Sequence, residues 1–147
     1  SDLNALASRV VERFAVSRQG SGTSLSRELA ADLGPVPLEG PAIERVITNL
    51  LANAFDALEG RGGNIVVRTV AGPGKDEVSL AVADDGPGIP PENRERIFDL
   101  LFSTKGAKGT GFGLAVSKKI VTEHGGRIRL DTEVGRGAAF TVILPRV

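Results

Sequence analysis

Three short stretches of this chain combine residue types that can do chemistry at spacings that let them act together. The first is Asn49-Leu50-Leu51-Ala52-Asn53-Ala54-Phe55-Asp56-Ala57, with Asn53 four residues after Asn49 and Asp56 three further on. On a helix that spacing puts all three polar side chains in one stripe. A solvated face is the ordinary explanation for such a stripe. Asparagine is a mediocre helix former, however, and Lys, Glu or Gln would serve a merely wet surface better. Two asparagines beside the small Ala52 and Ala57 suggest a polar floor under a ligand.

The second stretch, Val82-Ala83-Asp84-Asp85-Gly86-Pro87-Gly88-Ile89, is a strand end that turns through two glycines. It can hold a carboxylate at a pocket edge and let a ligand come against backbone, although Asp-Gly and Pro-Gly also make plain turns. The third, Lys105-Gly106-Ala107-Lys108-Gly109-Thr110-Gly111-Phe112-Gly113-Leu114, leads into a helical pattern. A glycine-rich approach to a helix start presents free N–H groups and the positive dipole end to a phosphate; a flexible loop without a ligand is the plainer reading. Neither G-x-x-x-x-G-K-[ST] nor a strand-borne G-x-G-x-x-G is present.

Composition narrows the classes of function. Eighteen basic and 18 acidic residues give a formal net charge of zero, so no long-range field draws the chain to nucleic acid or acidic lipid, and any anion site must be local. The absence of cysteine excludes disulfide and thiol chemistry. A single histidine excludes a multi-histidine metal site, and six Phe without Trp or Tyr argue against stacking on single-stranded nucleic acid. No apolar run approaches a membrane span and no signal-peptide pattern opens the chain. At 147 residues the chain suits one domain with a real core, and its abrupt start suggests a domain cut from something longer.

The elements that must position the three stretches read as α+β. Leu3, Leu6, Val10 and Phe14 recur at helical spacing behind Asp2, and Ile43, Ile47, Leu50, Ala54 and Leu58 do so within Ala42–Leu58. Leu25, Arg27, Leu29 and Ala31 share a strand face. Asn64–Ala71 and Glu77–Ala83 predict strands joined by the hairpin Gly72-Pro73-Gly74-Lys75. A short helical piece is expected around Asn93–Phe98, a mobile loop over Ser103–Gly109, and a helix over Gly111–His124 closed by Gly125-Gly126. Two last strands, Arg127–Thr132 and Ala138–Leu144, flank the turn Val134-Gly135-Arg136-Gly137.

In this order the three stretches resemble the N, G1 and G2 boxes of the GHKL ATPase superfamily, and most of all the catalytic domain of sensor histidine kinases. Phe98-Asp99-Leu100-Leu101-Phe102-Ser103-Thr104-Lys105 is similar to the family's F box, and Gly135-Arg136-Gly137 with Phe140 to its closing turn and strand. Leu100 and Leu101 stand where the family often has Pro and Phe. The resemblance runs from Asp2-Leu3 to the Phe140–Pro145 strand. It implies a two-layer α/β sandwich, the Bergerat ATP-binding fold: one mixed sheet packed on one face by helices, with a mobile ATP lid. Residues 1–147 would then be a single domain with the lid at about 99–110, and the phosphoacceptor dimerisation domain would lie elsewhere.

The resemblance also implies roles. Asp84 would accept from the adenine amino group, with Gly86, Gly88 and Ile89 beside the base. Asn53 would ligate Mg²⁺ and Asn49 would sit near the γ-phosphate. Lys105, Gly109, Thr110, Gly111, Gly113 and Leu114 would close over the phosphates of ATP or ADP, with Asn49 and Lys105 as the catalytic pair. Lys108 fits a surface-facing lid position equally well. Asp56 stands where many histidine kinases have Lys or Arg, which shifts the expected phosphate contact to Lys105. Hydrolytic relatives such as gyrase and the heat-shock chaperones carry Glu four residues before the magnesium Asn; here that residue is Asn49, and an amide is no general base. Glu44 is off the stripe by roughly 140°.

Phosphotransfer to a His on the separate dimerisation domain is therefore expected over hydrolysis, with a response regulator as the indirect partner. His124, before Gly125-Gly126, reads as a structural residue that favours the helix dipole. An anti-sigma-type serine kinase and a nucleotide-gated interaction module without phosphotransfer are the alternative readings. A monomeric, cytoplasmic domain is expected, free of nucleic acid and direct membrane contact, whether or not its parent is membrane-anchored.

Overall fold

A computed structural model describes residues 2–31, 33–89 and 110–146. The helix expected at Asn93–Phe98, the loop Ser103–Gly109 and the side chain of Lys105 lie outside the described residues.

The first helix, α1 (Leu3–Ser17), begins where the Asp2 carboxylate accepts from the Ala5 N–H at 3.1 Å, which satisfies one of the free donors of a helix start. Leu3, Leu6, Ala7, Val10, Val11 and Phe14 form its buried stripe. A second helix, α2 (Gly40–Ala57), carries Pro41 in its first turn, where a missing N–H costs nothing. It buries Ile43, Val46, Ile47, Leu50, Leu51, Ala54 and Phe55. Phe55 stacks on Phe14 at 5.5 Å between ring centroids, and Arg18 lies over both rings. The third helix, α3 (Thr110–Glu123), packs across α2.

Five strands, β1 (Thr23–Glu28), β2 (Gly63–Ala71), β3 (Glu77–Asp84), β4 (Arg127–Glu133) and β5 (Gly137–Pro145), form one sheet in the order β1-β2-β3-β5-β4. The β1–β2 pairing is parallel and the rest are antiparallel, so the sheet is mixed. Alternation sorts its faces. Ile65 and Val67 of β2, Val78, Leu80 and Val82 of β3, and Phe140, Val142 and Leu144 of β5 join the helices in one core. The opposite face carries ion pairs such as Arg68–Glu28 and Arg129–Asp131. The result is an α+β, two-layer sandwich, as the sequence implies.

The expected strand through Ala31 stops at Glu28. Beyond it Ala30 N–H is shared between the carbonyl and the hydroxyl of Thr69, and the chain leaves the sheet edge to bury Leu33 and Val36. Among the described residues no helix is long and apolar enough to cross a membrane.

Candidate functional site

Helix α2 is the spine on which the three stretches meet. Near its middle, the Asn49 amide donates to Gly113 O and Ser117 Oγ, both at 3.2 Å. A carbonyl can only accept, so the NH₂ group must face α3. Gly113 lies directly against Asn49: a Cβ there would meet Asn49 Cγ at 3.4 Å, an ordinary contact. Ser117 is fully buried. Asn49 thus clamps α2 to α3 and keeps only its amide oxygen for other work, which adds a fastening role to the one the sequence implied. Asn53, one turn on and half-buried, makes no side-chain hydrogen bond among the described residues. Asp56 is half-buried.

At the far end of α2, a Cβ on Gly86 would lie 3.3 Å from the Leu58 side chain and 3.5 Å from Ala57 O. The helix therefore runs from the start of α3 to the loop after β3, and Asn49 to Ala57 spans about 12 Å.

That loop separates two adjacent acids. Asp84, the last residue of β3, points to the helix side of the sheet in register with Ile65 and Ala138. Its carboxylate accepts from Gly86 N–H at 2.9 Å and from the backbone of Ala138. Burial raises its pKa above the ordinary aspartate range, while those two hydrogen bonds and Arg61 pull it down and Asp85 pushes it up. Asp85 is exposed, and Asn64 occupies both of its oxygens: the backbone N–H at 2.8 Å and the side-chain amide at 2.9 Å. Those bonds, the backbone one first, lower its pKa. Of the two carboxylates, only Asp84 is placed to receive a ligand donor on the helix side.

Backbone shape brings the loop against the β4–β5 turn. Gly88 has φ +81°, and a Cβ there would approach Glu133 O to 2.5 Å. Gly137 has φ +110°, and a Cβ there would collide with Asp84 O. Both positions need glycine on two counts, conformation and space. Ile89 packs against the core.

The start of α3 forms the third wall. Gly111 and Gly113 lie within its first turn, on the helix expected over Gly111–His124. The Asn49 amide holds this first turn against α2 through Gly113 O. As the second residue of the helix, Gly111 has an N–H without an intrahelical partner at the positive end of the helix start. Leu114 is buried beneath them. Lys105 and Gly109 lie outside the described residues.

For a hard cation, the described residues offer the Asn53 amide oxygen. No group of three or more His, Asp or Glu among them could hold an ion. This fits Mg²⁺, which takes one or two protein oxygens and completes its shell with substrate phosphates and water.

His124 donates through Nδ1 to Ile120 O at 2.8 Å and accepts at Nε2 from Glu39 N–H at 3.0 Å. The ring thus bolts the end of α3 to the start of α2. This is the structural role that its place before Gly125-Gly126 implied. Ser117 was missed by sequence reasoning. Its signal was the spacing Gly113-x-x-x-Ser117, two small residues on one helix face.

Residues 39–147 match the family described as histidine kinase-, DNA gyrase B-, and HSP90-like ATPase. The chain is 36% identical over 161 aligned residues to the sensor kinase CckA of Brucella abortus (strain 2308), an alignment covering 100% of this chain and 16% of CckA. It is similar to the nucleotide-free catalytic domain of the histidine kinase ThkA, with a TM-score of 0.84 and 32% identity over 98% of this chain and 94% of that one. It is also similar to full-length ShkA in complex with AMPPNP, with a TM-score of 0.83 and 27% identity over 99% of this chain and 30% of ShkA. The chain thus spans less than a third of the length of CckA and ShkA.

Proposed function

We propose, on the premise that this chain belongs to the histidine kinase-, DNA gyrase B-, and HSP90-like ATPase family as the ATP-binding catalytic domain of a sensor histidine kinase, that it is the phosphoryl donor of a two-component system. ATP lies along α2, with its base at Asp84 and its phosphates at the start of α3. Asp84 accepts from the adenine amino group, with Gly86, Gly88 and Ile89 lining the base. Asn53 ligates Mg²⁺, which neutralises phosphate charge when bound. The N–H groups of Thr110 and Gly111 face the phosphates, with Gly113 and Leu114 behind them, joined by Lys105 and Gly109 of a lid at about 99–110. The γ-phosphoryl group then moves from the β-phosphate oxygen to an imidazole nitrogen and leaves ADP.

The observation that carries this reading is the division of labour at the two acids. Asp84 is oriented by Gly86 and Ala138 on the helix side, while Asp85 is consumed by Asn64. Phosphotransfer over hydrolysis is supported by Asn49, whose amide is tied to α3 and cannot act as a base toward water. A His acceptor on a separate dimerisation domain is supported by His124, whose two ring nitrogens are both engaged. A response regulator receives the group next. The domain acts as a cytoplasmic monomer between these partners.

Mixing this chain with a His-bearing dimerisation segment and γ-labelled ATP tests the proposal. Acid-labile, base-stable label on the segment is the expected result. Acid-stable label on a Ser would support a serine kinase, and nucleotide binding without transfer would support an interaction module.

A further inference from the structure

We infer that Thr132 is a positioning residue for nucleotide binding: its hydroxyl fastens the Asp84–Ile89 loop to the β4–β5 hairpin and so sets the wall that meets the base. The inference rests on the reading of that loop as the adenine wall. Thr132 belongs to the edge strand β4, in register with Ala138, which is in turn in register with Asp84. Thr132, Ala138 and Asp84 thus form one row across three strands on the helix side of the sheet.

Each end of the hydroxyl has a fixed task. Thr132 Oγ1 accepts the Ile89 N–H at 3.0 Å and donates its proton to Gly137 O at 2.8 Å. A hydroxyl has one proton to give, so the donor role is spent on the hairpin and the acceptor role on the loop. Gly137 packs directly against Asp84 O. The hydroxyl therefore links the far end of the loop, at Ile89, to the residue on which its near end rests. Between these points Gly135 N–H donates to Pro87 O at 2.8 Å. That bond joins two main chains and survives side-chain substitution, whereas the Thr132 bridge depends on one oxygen. Valine has the same branched shape without it.

The test compares Thr132→Val and Thr132→Ser with the parent chain by calorimetry with ADP and by competition with GDP. Thr132→Val is expected to weaken ADP binding roughly three- to tenfold, the size of one or two neutral hydrogen bonds, and to lower the ratio of ADP to GDP affinity. Thr132→Ser is expected to restore both. A purely structural role would lower the folded fraction and reduce both affinities by one factor, so an unchanged ratio overturns the inference. Equal losses in the Val and Ser variants, or no loss in Val, overturn it too. Should Thr132→Val not fold, amide exchange on the parent chain decides: Ile89 N–H must exchange more slowly than an open-loop amide. Asp84→Ala separates the two layers of the argument. Unchanged ADP binding there sinks the adenine wall itself, whereas a loss there with none at Thr132 sinks only the bridge.

Discussion

The two ends of the proposed cleft are built on different principles. At the base end, main chain does most of the holding: Gly86 and Ala138 orient Asp84, and Gly88 and Gly137 seat the loop on the hairpin. At the phosphate end, side chains on α2 divide the work. Asn49 is spent on fastening α3, while Asn53, one turn away, keeps its amide available. A recognition element that must reject other bases gains from being locked before the ligand arrives. A cation that comes with its own phosphates needs only one well-placed oxygen from the protein.

If this contrast holds, substitutions at the base end affect every adenine nucleotide alike, and those at the phosphate end discriminate by metal and phosphate. The largest effect is expected for Asp84→Ala, which removes a charge-assisted hydrogen bond of about 1.5–3 kcal/mol, or roughly 10–100-fold in affinity. Calorimetry should show that loss for ADP with and without Mg²⁺; a loss confined to Mg²⁺-ATP would break the contrast. Asn53→Ala comes next, with about a tenfold loss for Mg²⁺-ATP and little change for metal-free ADP. Equal losses for the two ligands would move Asn53 out of the metal role.

Asn49→Ala removes two hydrogen bonds and leaves buried Ser117 without its α2 partner. Losing about 1–2 kcal/mol should lower the melting midpoint by roughly 2–8 °C. An unchanged midpoint would deny the clamp.

The smallest effect concerns pH. Burial, the first cause, holds the Asp84 pKa above its unfolded value, so the native state binds this proton more tightly than the unfolded chain does. The stability tied to that proton is fully present below about pH 4 and lost as pH rises through the native pKa. Asp84→Asn keeps an acceptor for Gly86 and Ala138 but carries no charge. It should melt slightly higher than the parent at pH 7, with the difference vanishing below about pH 4, while nucleotide binding weakens. A variant that melts lower at pH 7 would mean the charge stabilises the fold.

Much of the fold was legible because its signals are local. The apolar stripes of α1 and α2 follow helical periodicity, and the Gly72–Lys75 turn joins β2 to β3 as its residues require. The parallel pairing of β1 was not written in the residues of that strand, whose face is weakly apolar and whose end depends on Thr69. Within the site, Asp84-Asp85 and Asn49/Asn53 were visible as pairs with separate implied roles, but the partners that orient each member were not legible. Thr132 was invisible because a lone hydroxyl in an ordinary strand has no pattern, while Ser117 showed only as the weak spacing Gly113-x-x-x-Ser117.

The sequence by itself determined on what kind of element Asn49, Asn53 and Asp84 stand. Helix and strand periods, and the glycines that turn the chain, act over a few residues. Only the tertiary structure decided that Asp85 is held by Asn64, that Asn49 is spent as a clamp, and that His124 bolts α3 to α2. Each of these rests on a partner far along the chain. Gly113 and Ser117 lie 64 and 68 residues from Asn49, Asn64 lies 21 from Asp85, and Glu39 lies 85 from His124. A hydrogen bond consumes a specific lone pair or proton, and which one is consumed is known only when the partner is in place.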